Sequence, residues 1–283
     1  MEMQSLASAD FPPALREIPD LPERLWLRGS LPPAGTKLLA VVGSRALSRY
    51  GKEACEMLIA GLSGYPVSIV SGLALGADAC AHRAALSAGL HTIAIPGSGL
   101  DDSVIYPRAH EGLAHEILAA GGALLSEHGA KHRAAPHDFP SRNRIMAGMA
   151  DAVLVVEAAP RSGTLITARL AADYNRELLA LPHRISDPHG FGPHLFIRLG
   201  ATLVTEPLHI LEALKLPPKE REAGAAPRDL AGAELVIWDM LKEPKSRDEL
   251  LRAGEDAGAV MTALVSLELR GLAKEEFGAW RRV

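Results

Sequence analysis

Leu38-Leu39-Ala40-Val41-Val42-Gly43-Ser44-Arg45 is a run of five apolar residues followed by a turn of small residues and an arginine. The run is apolar on both faces, which predicts a strand that helices cover on both sides. A helical pattern begins within a few residues of Arg45. A buried strand, a short turn and a helix in this order indicate the start of an α/β unit.

The same alternation continues toward the C-terminus. Short β-rich runs follow at Val67–Val70, Thr92–Ile95, Ala123–Leu125, Val153–Val156, Leu178–Leu181 and Thr202–Val204, with helical patterns between them. We therefore predict an α/β fold over residues 37–214, a doubly wound and mostly parallel sheet. Ligands bind such sheets outside the carboxyl ends of the strands, so we expect functional residues directly after each run.

The remaining segments flank this sheet. Residues 1–36 are rich in proline and leucine and are predicted to form a strap packed on the sheet domain. Residues 215–227 contain adjacent prolines and charged residues, which predict a linker. Residues 228–283 carry three short helical patterns and a possible terminal strand pair, which predict a small winged-helix-like domain.

Composition narrows the class of protein. The chain has 30 lysines and arginines against 34 acidic residues, a formal charge of −4, so any binding site for an anion must be local. No apolar run approaches the roughly 18 residues of a spanning helix, and the first residues lack the pattern of a signal peptide. We expect a cytoplasmic protein that does not contact the membrane.

Small residues follow four of the predicted strands, at one edge of the sheet. These turns are Gly43-Ser44-Arg45, Ser71-Gly72-Leu73-Ala74, Pro96-Gly97-Ser98-Gly99 and Arg161-Ser162-Gly163-Thr164. Such turns let backbone amides approach a ligand, and the helix starts behind them favour negative charge. The dinucleotide fingerprint and the Walker A pattern are both absent from the sequence. The turns predict a phosphate-binding rim.

A sharper signal is the segment Phe139-Pro140-Ser141-Arg142-Asn143-Arg144. Ser141 is predicted to be the N-cap of a helix, which places Arg142 and Arg144 in its first turn. The helix dipole disfavours cations there by about 0.3–1 kcal/mol each, and an anionic ligand would offset that cost. Phe139 beside them is a candidate for stacking on a base, and a core phenylalanine is the alternative.

Two more arginines belong to the same rim. Arg45 and Arg161 lie near predicted helix starts, so arginines from several loops are expected to converge. The alternative is that each arginine pairs with a local carboxylate, such as Asp138, Asp151 or Glu157.

Catalytic and metal-binding patterns are weak. His128, His132 and His137 have a spacing that suggests a metal, but Gly129 and Pro136 make the stretch a loop without a fixed helical face. We therefore predict solvated or substrate-contacting histidines and no metal or cofactor. The nucleophile elbow is absent from the sequence, so we also predict that the protein is not an enzyme.

Taken in order, these residues resemble the DNA-processing protein A (DprA/Smf) family of recombination mediators. The similarity runs from about Phe11 to Leu214 and rests on Leu27-Arg28-Gly29, Val42-Gly43-Ser44-Arg45, Ser71-Gly72-Leu73-Ala74, Tyr106-Pro107, Phe139-Pro140-Ser141-Arg142-Asn143-Arg144-Ile145 and Ser162-Gly163-Thr164-Leu165. The resemblance implies an extended Rossmann-like domain that binds single-stranded DNA and forms a homodimer. It further implies that the protein protects single strands and loads RecA recombinase, in natural transformation, in repair or in both.

The resemblance also implies roles for individual residues. Arg45 is expected to contact phosphate, and Phe139, Arg142, Asn143 and Arg144 to line the same pocket. The expected backbone or hydroxyl donors to the phosphate chain are Ser44, Ser162, Gly163 and Thr164.

Two alternatives remain. Related Rossmann enzymes that hydrolyse nucleoside monophosphates at the base–ribose bond share the glycine-rich strand ends. Their motif ends in a catalytic glutamate, whereas Thr167 stands at that position here, and Glu157 is the remaining carboxylate to consider. The other alternative is a nucleotide-sensing module, because a pocket that holds a DNA phosphate can also hold a mononucleotide.

Overall fold

A computed structural model describes residues 3–218, 230, 232–253, 256–270, 272–276 and 278–282. The chain divides into two compact units, Met1–Pro218 and Lys219–Val283. Of the predicted linker 215–227, residues 219–227 lie outside the described residues. Within the described part of the chain, no helix is both long and apolar enough to cross a membrane.

The first unit is built on a nine-stranded sheet. Its strands are β1 (Met3–Leu6), β2 (Leu25–Gly29), β3 (Lys37–Val42), β4 (Val67–Ser71), β5 (His91–Ala94), β6 (Ala123–Ser126), β7 (Ala152–Val155), β8 (Glu177–Ala180) and β9 (Thr202–Leu203). Their order across the sheet is β1-β2-β6-β5-β4-β3-β7-β8-β9. The β1–β2 and β2–β6 pairs are antiparallel and the others are parallel. This confirms the predicted fold class, and the predicted strand ends differ from the observed ones by at most one residue.

Helices connect the strands and cover both faces. They are α1 (Arg49–Ala60), α2 (Ala77–Ser87), α3 (Glu111–Ala119), α4 (Asp138–Met149), α5 (Thr164–Asp173), α6 (Phe191–Arg198) and α7 (Pro207–Ala213). In β3, Leu38, Ala40 and Val42 are buried in the layer that contains α4 and α5, whereas Leu39 and Val41 are buried in the layer that contains α1 and α2. Two covered faces explain why the strands have no polar side.

The strand order reverses next to β3. This strand pairs with β4 on one side and with β7 on the other, and the chain proceeds outward from that pair in both directions. The segment after β3 leads to α1 on one face, and the segment after β7 leads to α5 on the other face. Connections that diverge in this way leave a crevice at the carboxyl ends of the two strands, which is where such sheets bind ligands.

The segment predicted to be a strap contributes two strands to the sheet. β2 pairs with β6, with Trp26 opposite Ser126 and Gly29 opposite Ala123, and β1 forms the edge beyond it. A 3-10 turn at Pro13–Glu17 packs the buried Leu15 in the layer that contains α4. These strands were not predicted because the prolines around them indicate irregular structure.

The second unit contains three helices and a three-stranded sheet. Its elements are α8 (Ala233–Met240), β10 (Lys245–Ser246), α9 (Arg247–Ala253), α10 (Ala257–Leu269), β11 (Ala273–Glu276) and β12 (Ala279–Arg282). The antiparallel strands are ordered β10-β12-β11. Trp238, Leu264 and Trp280 are buried in its core. The three helices and the terminal strand pair form as expected, and the winged-helix assignment stays a prediction.

Candidate nucleic-acid interface

A cavity of about 550 Å³ lies at the carboxyl ends of β3 and β7. Its walls come from the turn after β3, from the first half of α4 and from the start of α5. Eight of the ten predicted site residues line it: Ser44, Arg45, Phe139, Arg142, Asn143, Ser162, Gly163 and Thr164. Arg144 and Arg161 are the two that do not. The residues after β3 and β7 therefore meet at the crevice that the topology predicts.

Close packing and a hydrogen bond hold the turn after β3 against the starts of α2 and α5. A Cβ atom on Gly43 would lie 2.6 Å from the Cβ of Ala77, so glycine is required there. The Thr164 hydroxyl donates to the Gly43 carbonyl at 3.0 Å. Gly163 has no side chain to cap α5, and the Ser162 hydroxyl accepts the backbone N–H of Thr164 at 3.2 Å. The positive end of the α5 dipole thus opens on the cavity, where it favours an anion.

Arg45 and Phe139 form the outer wall. The guanidinium carbon of Arg45 lies 5.3 Å from the Phe139 ring centroid, within cation–π range. Among the described residues, no carboxylate lies within ion-pair distance of Arg45, so the alternative of a local acidic partner does not apply to it. Phe139 is half-buried and not a core residue. An unpaired cation and an aromatic ring therefore face the same opening.

Tyr106 extends this aromatic surface, although it was not predicted as a site residue. Its ring centroid lies 5.5 Å from that of Phe139, and 47% of Tyr106 is exposed. Both rings, with Arg45, line a small recess next to the cavity. The sequence did show an aromatic residue in a polar loop. Because Tyr106 and Phe139 are far apart in the sequence, it did not show that their rings are in contact.

Arg142 is a buried cation rather than a residue of the open rim. It is 5% exposed and donates to the Gly72 carbonyl at 2.6 Å and to the Ile95 carbonyl. Burial lowers the pKa of its guanidinium to about 10. A Cβ atom on Gly72 would lie 2.2 Å from a guanidinium nitrogen, so the glycine makes room for the cation. Arg142 joins the ends of β4 and β5 and presents positive charge to the floor of the cavity.

Asp78 is the acidic counterpart of Arg142 in this region. Its carboxylate accepts backbone N–H groups from Gly72 at 3.0 Å and from Ala74 at 3.2 Å. Burial raises the pKa of Asp78, and the positive charge of Arg142 acts in the opposite direction. Among the described cavity-lining residues, Asp78 is the carboxylate, and these contacts commit it to holding the loop after β4.

α4 begins three residues before the predicted N-cap. The helix starts at Asp138, and the Ser141 hydroxyl donates back to the carbonyls of His137 and Asp138 instead of capping the helix. Pro140 lies within the first turn, where it costs no helical hydrogen bond. Arg142 therefore lies in the second turn, and its positive charge is balanced by buried acceptors rather than by position at a helix end.

Arg144 does not line the pocket, contrary to the prediction. Its guanidinium pairs with the half-buried carboxylate of Glu127. Together these two residues border a separate recess that also includes Arg24 and Trp26. Two residues along a helix correspond to about 200° of rotation, so Arg142 and Arg144 face opposite sides of α4. With this spacing, Arg142 and Arg144 cannot both point into one cavity.

Arg161 lies on the turn between β7 and α5, outside the cavity lining. Its backbone has φ +69°, a conformation of tight turns, and its side chain is exposed. The neighbouring Ser162 accepts the backbone N–H of Thr164 at 3.2 Å. Ser162, Gly163 and Thr164 thus line the cavity, while Arg161 lies on the outer surface.

Glu157 is fully buried and does not line the cavity. Its carboxylate accepts the backbone N–H of Ser48 at 3.1 Å and also the Ser48 hydroxyl, and lies 3.2 Å from Nδ1 of His189. Ser48 in turn caps α1. Thr167, by contrast, does line the cavity. Thr167 is therefore a residue of the cavity wall, and Glu157 holds the start of α1.

Comparison with known proteins agrees with this geometry. A family model described as DNA recombination-mediator protein A matches residues 2–215. Protein Smf of Escherichia coli is 41% identical over 278 residues, which cover 92% of this chain and 72% of the relative. The DNA processing protein DprA of Streptococcus pneumoniae is 43% identical over 201 residues, which cover 71% of this chain and 70% of the relative.

Solved structures show the same sheet. The X-ray structure of DprA from Streptococcus pneumoniae superposes with a TM-score of 0.69 at 40% identity, covering 75% of this chain and 74% of that protein. A structure that describes the single-stranded DNA binding mode of DprA from Helicobacter pylori superposes with a TM-score of 0.66 at 28% identity. The superposition covers 76% of this chain and 96% of that protein. With its family match, relatives and fold in agreement, the chain belongs to the DNA recombination-mediator protein A family.

Proposed function

We propose that this protein binds single-stranded DNA in the cavity between β3 and β7 and acts as a recombination mediator. The observation that carries the proposal is the unpaired Arg45 next to Phe139, beside the N-terminal end of α5. A cation and the positive end of a helix dipole suit a phosphate, and an aromatic face suits an unpaired base. The single-stranded DNA binding described for the Helicobacter pylori relative supports it.

Single strands fit this arrangement better than a duplex. Phe139 and Tyr106 can stack only on bases whose faces are accessible, and duplex bases are already stacked. The rings also border a concave opening and not an exposed helix or ribbon that could enter a groove.

Arg45→Ala is expected to weaken binding of an oligothymidylate and to reduce its salt dependence. Each phosphate neutralised on a single strand contributes about −0.7 to the slope of log affinity against log salt, so losing one contact should make the slope less negative by about that amount. Fluorescence anisotropy at several salt concentrations measures both quantities.

Arg169→Ala is the matched control, because Arg169 is also an exposed arginine of the first unit but does not line the cavity. An unchanged slope in Arg45→Ala, or an equal change in both variants, would exclude Arg45 as a phosphate contact.

We further propose that the protein works as a homodimer. Leu199 and Leu203 are 74% and 43% exposed beside the short edge strand β9, which leaves apolar surface for a second copy. Two cavities on one particle would hold a strand at two points and raise its effective affinity. Light scattering at micromolar concentration is expected to give twice the mass of the chain. A monomer mass with and without DNA would contradict the dimer.

Delivery of the strand to RecA recombinase is the remaining part of the proposal, and the family's role as recombination mediators supports it. The expected result is faster RecA filament assembly on single strands coated with single-strand-binding protein. An assembly rate that does not change when this protein is added would contradict that role.

We also propose that the cavity performs no nucleotide hydrolysis. Thr167, which aligns in sequence with the glutamate of the hydrolase motif, lines the cavity, and Asp78 and Glu157 are held by internal hydrogen bonds. Chromatography of AMP or CMP incubated with the protein is expected to show no free base. Base release that is lost in Glu157→Gln would establish the enzyme alternative instead.

A further inference from the structure

A group of metal-ligating side chains lies beside the DNA cavity, on the segment that leads into α4. His128, His132 and Asp138 each offer one ligand atom, and these atoms all lie within 4.8 Å of one another. Nε2 of His132 is 2.8 Å from Oδ2 of Asp138, and Nε2 of His128 is 3.5 Å from Oδ1. The loop was not predicted to bring its histidines together, because it has no helical face. It instead folds back on the first residue of α4.

The burial of these groups is unusual for a surface loop. Asp138 is 2% exposed. Nε2 of His128 is buried and has no hydrogen-bond partner, which is costly for an imidazole nitrogen. The rings of His128 and His132 stack with centroids 4.1 Å apart and planes 17° apart. Two imidazoles thus present the same nitrogen to a single buried carboxylate.

The spacing matches that of a tetrahedral metal centre. Zinc lies about 2.0–2.2 Å from imidazole nitrogen and carboxylate oxygen, which places neighbouring ligands of a tetrahedron about 3.3 Å apart. The distances from His132 to Oδ2 and from His128 to Oδ1 end at different oxygens of Asp138 and fall on either side of this value, and one ligand atom from each of the three residues lies within 4.8 Å of the others. Nε2 of His137 lies 3.3 Å from Oδ1 of Asp138, on the solvent side, but His137 is not among the residues whose ligand atoms lie within 4.8 Å of one another.

We propose that His128, His132 and Asp138 bind a divalent transition-metal ion, Zn²⁺ by ligand type, with water in the fourth position. On binding, the hydrogen bond between Nε2 of His132 and Asp138 is replaced by two bonds to the ion, and the single proton of the neutral imidazole is then carried on Nδ1. The site goes beyond the proposed DNA binding and does not depend on it.

The position of this site suggests a structural role. The loop that carries the histidines is tied to the turn after β5, since Gly99 donates to the His132 carbonyl at 2.9 Å and Asp101 donates to the Ala130 carbonyl at 3.0 Å. Asp138 is the first residue of α4, and Phe139 follows it. An ion held between the loop and the helix would fix the residue that precedes the aromatic wall of the cavity.

The test uses the full chain without a histidine tag, stripped with a chelator and titrated with Zn²⁺ by calorimetry. One ion per chain is expected. Removing a residue that only hydrogen-bonds to a metal ligand lowers metal affinity by about 10–100-fold. Removing a ligand should cost at least as much, so His128→Ala and His132→Ala are each expected to lower Zn²⁺ affinity at least tenfold. His209→Ala is the control, because His209 pairs with Glu206 away from this cluster. Absence of Zn²⁺ binding, or equal affinity in all three variants, would overturn the site.

A spectroscopic measurement on the unaltered protein covers the case in which a histidine variant does not fold. Co²⁺ added to the stripped protein is expected to show the intense visible absorption of a tetrahedral ion. The weak spectrum of octahedral Co²⁺ would overturn the proposed coordination. Neither measurement includes DNA, so their outcomes are independent of the DNA-binding proposal.

Discussion

Arg142→Met is expected to lower the free energy of unfolding by about 3–5 kcal/mol, the cost of removing one partner from a buried charged arrangement. Methionine fills similar space but leaves the carbonyls of Gly72 and Ile95 without the donors they have in the native protein. It also leaves Asp78 buried without the positive charge that counteracts desolvation. Urea denaturation monitored by circular dichroism measures the loss.

The deficit of Arg142→Met should depend on pH in a definite direction. Burial already raises the pKa of Asp78, and removing Arg142 raises it further, because the cation was lowering it. When the folded-state pKa of a carboxyl group lies above its unfolded-state pKa, the folded protein favours the protonated form. The free energy of unfolding is then highest at low pH and falls as pH rises through the folded-state pKa. The variant should therefore recover part of its stability in mildly acidic buffer.

Two controls separate this effect from a general loss of charge. Arg161→Ala removes an exposed arginine near the same cavity and should change stability by no more than about 0.5 kcal/mol. Adding Asp78→Asn to Arg142→Met removes the second charge and should restore part of the stability. An Arg142→Met protein as stable as Arg161→Ala would contradict the structural role of Arg142.

Phe139→Ala is expected to weaken single-strand binding by about 1–3 kcal/mol, the range found when an aromatic residue that stacks on a base is removed. That range corresponds to a loss of affinity of roughly 5–150-fold. Removing the ring also removes the support of Arg45, whose guanidinium lies over it. Anisotropy with an oligothymidylate at fixed salt measures the loss.

Different replacements of Phe139 show whether its ring stacks on a base or only fills space. Phe139→Trp keeps an aromatic face and should retain most of the affinity, whereas Phe139→Leu keeps apolar volume without that face and should behave like alanine. Phe191→Ala is a control at another half-exposed phenylalanine, which lies on α6 outside the cavity. Leucine and tryptophan variants of equal affinity would show that the ring does not stack on a base.

The sheet could be predicted from sequence because its signal is local. Strands covered on both faces, such as β3 and β7, appear as short apolar runs wherever the chain folds. β1 and β2 lie at the edge and lack that pattern, so they were missed. The convergence of Arg45, Phe139 and Ser162 on one cavity could also be predicted, since carboxyl ends of parallel strands share an edge of the sheet.

Side-chain direction and loop folding were not predictable in the same way. α4 was predicted to start at Ser141 but starts at Asp138, so the environments expected for Arg142 and Arg144 were wrong. Helical rotation separates Arg144 from Arg142 by about 200°, and the phase of the helix decides which of the two faces the cavity. The contact of Tyr106 with Phe139 and the convergence of His128 on Asp138 depend on loops, whose path carries no periodic signal.

The N-terminal strands have a consequence for handling the protein. Without β1 and β2, the strand β6 would become the edge of the sheet, with unpaired backbone groups from Ala123 to Ser126 and apolar residues on both sides. Exposed edges of this kind template intermolecular pairing and aggregation. At the opposite edge, β9 is only two residues long, which limits such pairing. Truncations designed to isolate the DNA-binding unit should therefore be made at its C-terminal end, with Met3–Gly29 retained to keep the protein from aggregating.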